Sequence, residues 1–186
     1  MRTGVFIERD GILNRTRLIR GQARPPRTPS ELELNYEAKD AITRLKQAGL
    51  LIIVTTNQPG ISDGSISYRD LDEIHQQMQS FFDLDDILVC PHDESEYCPC
   101  HKPRPGMFTE AAWSWNLNLD QSYVISDKWQ DSEAAHNLGL TSLMIKNPRI
   151  GTGHHDFVLK NIHQAVEKLL VLNKAKTRLA AGKAVI

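Results

Sequence analysis

Apolar runs and helically spaced apolar residues alternate along the chain. Five short runs rich in valine, isoleucine and leucine lie near residues 5–7, 50–55, 87–90, 123–125 and 143–145. Their continuous apolar character is typical of strands buried on both faces. Amphipathic helix signals separate them, and Gly49 and Gly139 are placed to end two of those helices. This order predicts an α/β fold with a Rossmann-like, doubly wound parallel sheet of five strands.

Two segments fall outside this alternation. Residues 15–30 contain five arginines and three prolines without periodicity, which predicts a loop. We interpret this loop as a small flap that places positive charge over an anionic ligand; the alternative is a solvated irregular segment. Apolar spacing from Val158 onward predicts a closing helix, and the basic, alanine-rich last dozen residues predict a frayed end. Helix and tail together cover about residues 156–186.

Composition limits the function classes. At 186 residues and 40% hydrophobic content, the chain fits a single domain over residues 1–186. A net charge of −1 gives no general attraction to nucleic acid or to an anionic membrane. The sequence has neither an apolar run long enough to span a bilayer nor the pattern of a signal peptide. We therefore expect a cytoplasmic monomer whose partner is a small molecule.

Acidic residues follow two of the predicted strands. Glu8 and Asp10 end the first strand just before Gly11, and Asp127 ends the fourth, four residues before Asp131. Because the carboxyl ends of parallel strands open onto one crevice, these groups predict an oxygen-rich site of the kind that Mg²⁺ prefers. The alternatives are a solvated strand-to-turn junction at Glu8 and a helix N-cap at Asp131.

Candidate phosphate-binding groups lie on two other segments. Thr56, Asn57 and Gln58 end the second strand before a Pro-Gly turn, where a hydroxyl and amides could hold phosphate oxygens. Turn chemistry alone would explain the same residues. Lys102 and Arg104 lie between prolines and offer positive charge on a stiff backbone.

All three cysteines lie within eleven residues, which an odd-numbered disulfide framework explains poorly. With one histidine they form two tight pairs, Cys90 with His92 and Cys98 with Cys100. Thiolates and imidazole are the ligands of a closed, structural zinc site. We therefore predict a zinc loop at about residues 90–101, with a cluster of free thiols as the alternative.

Taken together, these segments resemble the haloacid dehalogenase-like phosphohydrolases. The closer resemblance is to the zinc-loop subgroup that contains the heptose bisphosphate and histidinol-phosphate phosphatases. It covers about residues 4–146 in the family's order. The matching motifs are Glu8-Arg9-Asp10-Gly11, Thr56-Asn57-Gln58, Cys90 to Cys100, His101-Lys102-Pro103 and Ser126-Asp127-Lys128 with Asp131.

The resemblance implies a Mg²⁺-dependent phosphomonoesterase, with D,D-heptose 1,7-bisphosphate as the best single substrate. It implies that Glu8 attacks phosphorus and that Asp10 acts as general acid and base. Thr56 and Lys102 would hold the phosphoryl group. Substrate contacts would come from Asn57, Gln58, His101, Arg104 and Lys128. The magnesium site would comprise Glu8, Asp10, Asp127 and Asp131, and the zinc site Cys90, His92, Cys98 and Cys100.

Several motif positions depart from the subgroup's pattern. Glu8 stands where the family has a nucleophilic aspartate, and His101 where the heptose phosphatases have an arginine. Ser126 replaces a glycine, and Asp63 occupies a turn position that is often arginine. An alternative function follows from Glu8: a catalytically impaired protein that binds a phosphosugar or a protein partner.

Overall fold

The computed structural model describes residues 1–148 and 150–183. Its strands are β1 (Gly4–Glu8), β2 (Arg17–Ile19), β3 (Gln22–Arg24), β4 (Leu51–Asn57), β5 (Asp86–Cys90), β6 (Tyr123–Ser126), β7 (Thr141–Ile145) and β8 (Phe157–Leu159). Its α-helices are α1 (Glu37–Gln47), α2 (Tyr68–Phe81), α3 (Gly106–Trp115), α4 (Trp129–Asn137) and α5 (Ile162–Lys183). None of these helices is long and apolar enough to cross a bilayer.

Six strands form a parallel sheet in the order β5-β4-β1-β6-β7-β8. Strand order therefore runs outward in both directions from β1, which makes β1 the topological switch point. Glu8, the last residue of β1, pairs in register with Thr55 of β4. Ligands of open α/β sheets bind in the crevice at this point, beyond the carboxyl ends of the strands.

Helices cover both faces of the sheet. Val5 and Ile7 of β1 face the core layer built by α1, α2 and α5, whereas Phe6 faces the layer built by α3 and α4. This alternation follows from the two-residue period of a strand. Phe6 is fully buried and packs against Phe108, with ring centroids 4.9 Å apart. Burial of each such side chain stabilises the fold by about 1.5–3 kcal/mol, so both layers hold β1 in place.

The structure confirms the parallel α/β fold and all five predicted strands. It adds a sixth strand, β8, and the prediction that Val158 begins the closing helix is therefore wrong. Val158 lies in β8, and α5 begins at Ile162. A three-residue edge strand is too short to give a periodic signal. The helix α5 continues to Lys183, and the frayed end stays a prediction; residues 184–186 lie outside the described part.

The predicted loop at residues 15–30 contains regular structure. Residues 17–24 form an antiparallel hairpin, β2 with β3, which we call the flap hairpin. Arg20 and Gly21, at its tip, have φ values of 51° and 76°. Two successive positive φ values are the requirement of the type I′ turn, whose twist matches a two-stranded hairpin. An arginine is an uncommon residue for that position, so no residue pattern predicts the turn.

Candidate active site

Glu8 lies at the carboxyl end of β1, and nitrogen donors surround its carboxylate. Oε2 accepts a hydrogen bond from Lys102 Nζ. Oε1 accepts from Lys128 Nζ at 2.9 Å and from the backbone N–H of Asp10 at 3.1 Å. Burial raises the pKa of Glu8, but the charges of Lys102 and Lys128 outweigh it and keep the pKa below its ordinary value. Glu8 is therefore an ionised carboxylate at neutral pH.

Lys102 connects three parts of the site. Besides Glu8, its ammonium donates to Asp131 Oδ1 at 2.7 Å and to the carbonyl oxygen of Thr55 at 2.8 Å. Asn57 fixes its backbone, because the Asn57 side chain accepts from Lys102 N–H at 3.1 Å and donates to Lys102 C=O at 3.2 Å. All three ammonium hydrogens thus have acceptors, which sets the position of the charge.

Asp10 is almost fully buried, and its carboxylate accepts hydrogen bonds from four side chains. Arg9 and Asn14 contact Oδ1, while Gln58 Nε2 lies 2.7 Å and Thr56 Oγ1 3.4 Å from Oδ2. Burial raises the pKa of Asp10, but Arg9 and Lys128 bring it below its ordinary value. The prediction that Thr56 holds a phosphoryl oxygen stays a prediction, and in this structure its hydroxyl contacts Asp10.

Asp127 and Asp131 both follow β6 in sequence but make different contacts. Asp127 Oδ2 accepts from Asn147 Nδ2 at 2.5 Å, and a Cβ on Gly11 would lie 2.7 Å from the same oxygen. The Asp127 carboxylate therefore packs directly on the turn that follows Asp10. The N-cap of α4 is Lys128 and not Asp131. The Oδ2 atom of Asp131 accepts a hydrogen bond from Ser126 Oγ at 2.9 Å. Burial raises the pKa of Asp131 to about 6.

The zinc-loop prediction corresponds to a compact ligand cluster. Cys90, His92, Cys98 and Cys100 bring one ligand atom each to within 4.8 Å of all the others. Nearest distances are 3.3 Å from His92 Nδ1 to Cys100 Sγ and 3.4 Å from Cys98 Sγ to Cys100 Sγ. Tetrahedral zinc with ligands at about 2.0–2.3 Å has ligand-to-ligand edges of about 3.3–3.8 Å. The cluster therefore fits zinc.

A cavity of about 750 Å³ opens above Glu8 and Asp10. Of the predicted site residues, Asn57, Gln58, His101, Lys102, Asp127, Lys128 and Asp131 also line it. Thr56 and Arg104 are not among the lining residues; Arg104 lies beside Tyr97, with its guanidinium carbon 5.7 Å from the ring centroid. The flap hairpin and its continuation contribute Arg24 and Arg27. The flap interpretation thus agrees with the position of these arginines.

Sequence reasoning missed four residues of this region. Asn147 and Trp129 line the cavity, and the buried Arg9 pairs with the partly buried His75 behind Asp10. Trp129 lies inside the Ser126-to-Asp131 motif and could have been singled out by its place there. No sequence pattern marks Asn147 or His75, because both reach the site only through the packing of separate elements.

Comparison with known proteins agrees with the fold and the motifs. A family model described as HAD-hydrolase-like matches residues 99–165. The D-glycero-beta-D-manno-heptose-1,7-bisphosphate 7-phosphatase of Haemophilus ducreyi is 30% identical over 175 residues, covering 85% of this chain and 93% of the relative. The chain belongs to the haloacid dehalogenase-like phosphatase family. This membership supports the phosphatase interpretation and not the binding-protein alternative.

Two further comparisons show how far along the chain the similarity extends. The histidine biosynthesis bifunctional protein HisB of Baumannia cicadellinicola is 32% identical over 146 residues, 75% of this chain and 40% of that protein. The crystal structure of D,D-heptose 1,7-bisphosphate phosphatase from B. bronchiseptica, complexed with magnesium and phosphate, has a TM-score of 0.77 at 24% identity. The structural match covers 91% of this chain and 98% of the chain in that crystal structure. The fold is thus shared along nearly the whole chain.

Proposed function

We propose that this protein is a Mg²⁺-dependent phosphomonoesterase of phosphorylated sugars, with D-glycero-β-D-manno-heptose 1,7-bisphosphate as substrate. The observation that carries the proposal is the ionised Glu8 carboxylate between Lys102 and Lys128, with Asp10 two residues away and a cavity above them. The names of relatives that match most of the chain support this substrate. The flap arginines 24 and 27 would accommodate a second anionic group.

Glu8 serves as the nucleophile in this proposal. Its carboxylate oxygen attacks phosphorus, the bond between phosphorus and the leaving oxygen breaks, and an acyl phosphate forms on Glu8. Lys102 and Lys128 already lie against the carboxylate, so they are placed to balance charge on the phosphoryl oxygens. Glutamate is one methylene longer than aspartate, and its double contact with the two lysines limits how far the carboxylate can move.

Asp10 serves as general acid and then as general base. The protonated form of Asp10 donates its proton to the leaving oxygen, and the resulting carboxylate takes a proton from the water that attacks the acyl phosphate, which regenerates Glu8, releases phosphate and restores the protonated form. Gln58 and Asn14 hold its carboxylate from two sides. Asp131 contacts Lys102, so we assign it the positioning of that lysine within the site.

The residues present fit a magnesium ion. Glu8 precedes Gly11 by three residues and the Asp127 carboxylate lies against Gly11, so these two carboxylates and the backbone carbonyl of Asp10 would hold the ion. Hard oxygen ligands of this kind suit Mg²⁺. When bound, the ion supplies positive charge that polarises the phosphoryl group and neutralises charge during transfer.

The zinc cluster has a structural role in this proposal. Its four ligands leave no open coordination position, and the loop that it closes leads directly to His101 and Lys102. Zinc would therefore fix the start of the segment that carries Lys102. We further propose that the protein is a single-domain monomer in the cytoplasm. The absence of disulfides among the three described cysteines supports that location.

Phosphate release with Mg²⁺ tests the proposal. The substrates are the heptose bisphosphate, histidinol phosphate, glucose 6-phosphate and glycerol 3-phosphate, and the proteins are the wild type, Glu8→Gln and Glu8→Asp. We expect the wild type to prefer the heptose bisphosphate and Glu8→Gln to lose activity by at least about a thousandfold, because the amide is not a nucleophile. Acid quenching followed by peptide mass spectrometry should detect phosphate on Glu8.

Glu8→Asp separates this function from its alternative. If the wild type is inactive towards every substrate and only Glu8→Asp releases phosphate, the nucleophile proposal is refuted and the protein binds phosphosugars without turnover. Activity that persists in Glu8→Gln would place the nucleophile elsewhere.

A further inference from the structure

Arg9 is the largest fully buried side chain in the described part of the chain. It stands between Glu8 and Asp10 in sequence, but its guanidinium does not reach solvent. Transfer of a guanidinium out of water costs several kcal/mol unless acceptors satisfy its N–H groups. The hydrogen-bond acceptors of Arg9 therefore indicate the role of its buried guanidinium.

Arg9 contacts Asp10 on one side. Nε donates to Oδ1 at 3.1 Å, and Nη2 lies 3.1 Å from both Oδ1 and Oδ2. Each of the other donors to this carboxylate contacts a single oxygen: Asn14 contacts Oδ1, and Gln58 and Thr56 contact Oδ2. Arg9 is thus the donor that contacts both oxygens and defines the plane of the carboxylate.

His75 of α2 contacts Arg9 on the other side, with Nε2 3.0 Å from Nη1. A guanidinium can only donate hydrogen bonds, so Nε2 of His75 must be the acceptor. This requires a neutral imidazole with its proton on Nδ1. Burial and the neighbouring charge of Arg9 lower the pKa of His75 to about 4, which agrees with a neutral ring.

We propose that Arg9 and His75 are positioning residues for Asp10, with the lone pair of His75 orienting the guanidinium and the guanidinium orienting the carboxylate. This inference rests on the proposed function, in which Asp10 is the acid and base. Ile74 and Met78, on either side of His75 in α2, are fully buried in the core. The pair therefore ties the catalytic turn to a packed helix and not to a surface loop.

Leaving-group dependence distinguishes positioning from general structural damage. His75→Gln keeps an acceptor near the position of Nε2, whereas His75→Leu removes it at similar size. With a sugar phosphate we expect His75→Leu to lower kcat by about 10- to 100-fold with little change in KM, and His75→Gln to retain most of kcat. With p-nitrophenyl phosphate, whose leaving group needs little protonation, the loss of kcat/KM in His75→Leu should be several-fold smaller, because kcat/KM reports phosphoryl transfer to Glu8 and not the later attack of water. Gln76→Leu, at the exposed neighbouring position of α2, controls for altered helix packing.

A second measurement does not require turnover. In the wild type, ¹⁵N chemical shifts of the His75 ring at pH 7 should show a proton on Nδ1 and none on Nε2. A proton on Nε2, an equal loss of kcat/KM for both substrates, or an equal loss in both His75 variants would overturn the positioning role. If the wild type releases no phosphate from either substrate, the proposed function is refuted. If it turns over normally and His75→Leu has no effect, only this inference is refuted.

Discussion

Asp131 and Lys102 form an ion pair of 2.7 Å whose two side chains are 0% and 2% exposed. They come from α4 and from the segment after the zinc cluster, so the pair joins two elements that are distant in sequence. Ser126 Oγ donates to the second oxygen of Asp131, which leaves both carboxylate oxygens with a donor. The serine that replaces the family's usual glycine thus supports the ion pair.

Removal of this carboxylate should affect both stability and catalysis. In Asp131→Asn, Lys102 keeps only Glu8 as a charged partner, and we expect a loss of about 3 kcal/mol in unfolding free energy. A fall of at least about tenfold in kcat should accompany it, because the ammonium loses its fixed position. Urea unfolding and steady-state kinetics measure the two effects.

Asp85→Asn is the matched control. Asp85 pairs with Lys46 at 2.8 Å on α1, away from the cavity-lining residues. The Asp85→Asn variant should have a lower free energy of unfolding and an unchanged kcat. Equal kinetic losses in both variants would show that Asp131 contributes only to the fold.

Loss of zinc ligation should reduce both metal content and activity. Cys98→Ser removes one of four ligands from a cluster whose last ligand, Cys100, lies two residues before Lys102. We expect zinc, measured by mass spectrometry of the purified protein, to fall well below one equivalent, with a lower Tm and a lower kcat. Ser95→Ala, in the same loop, should keep zinc; wild-type zinc content in Cys98→Ser would contradict the site.

Gly106 allows a close approach between α3 and the zinc loop. An added Cβ would lie 2.4 Å from the carbonyl oxygen of Pro99, whose neighbours are Cys98 and Cys100. Gly106→Ala should therefore destabilise the protein by about 1–3 kcal/mol and weaken zinc binding. At Gly49, a Cβ would meet no atom within 4 Å, although φ is 76°, so Gly49→Ala should destabilise through its backbone alone and keep zinc. Differential scanning calorimetry and metal analysis separate these effects.

His75 should make stability depend on pH. Its pKa is about 4 in the folded protein, below its ordinary value of 6.5, so between these values the unfolded chain binds the extra proton. The contribution of His75 is fully present above about pH 6.5 and is lost as the pH falls towards 4, with a slope of at most about 1.4 kcal/mol per pH unit. Urea unfolding at pH 7.0, 6.0 and 5.0 should show a shallower slope for His75→Gln. Identical slopes would show that His75 titrates alike in both states.

The parallel sheet and the strand-end chemistry could be predicted because both depend on local pattern. Continuous apolar runs identify buried strands, and polar residues that end such runs must face the crevice of a parallel sheet. Glu8, Asp10 and Asp127 follow from this pattern, whereas the cysteine and histidine cluster follows from its ligand types and close spacing. The hairpin at residues 17–24 and strand β8 were not found, because three-residue strands give no period and Arg20 is an atypical turn residue.

The sequence by itself determined the order of elements, the residues at the strand ends and the ligands of the zinc loop, since each of these is set by neighbours along the chain. Tertiary structure alone decided which groups meet. Only packing places Lys102 between Glu8 and Asp131, Asn147 against Asp127, and His75 behind Arg9. Such contacts join residues 20 to 94 positions apart, and their geometry follows from how helices pack on the sheet and not from any local period.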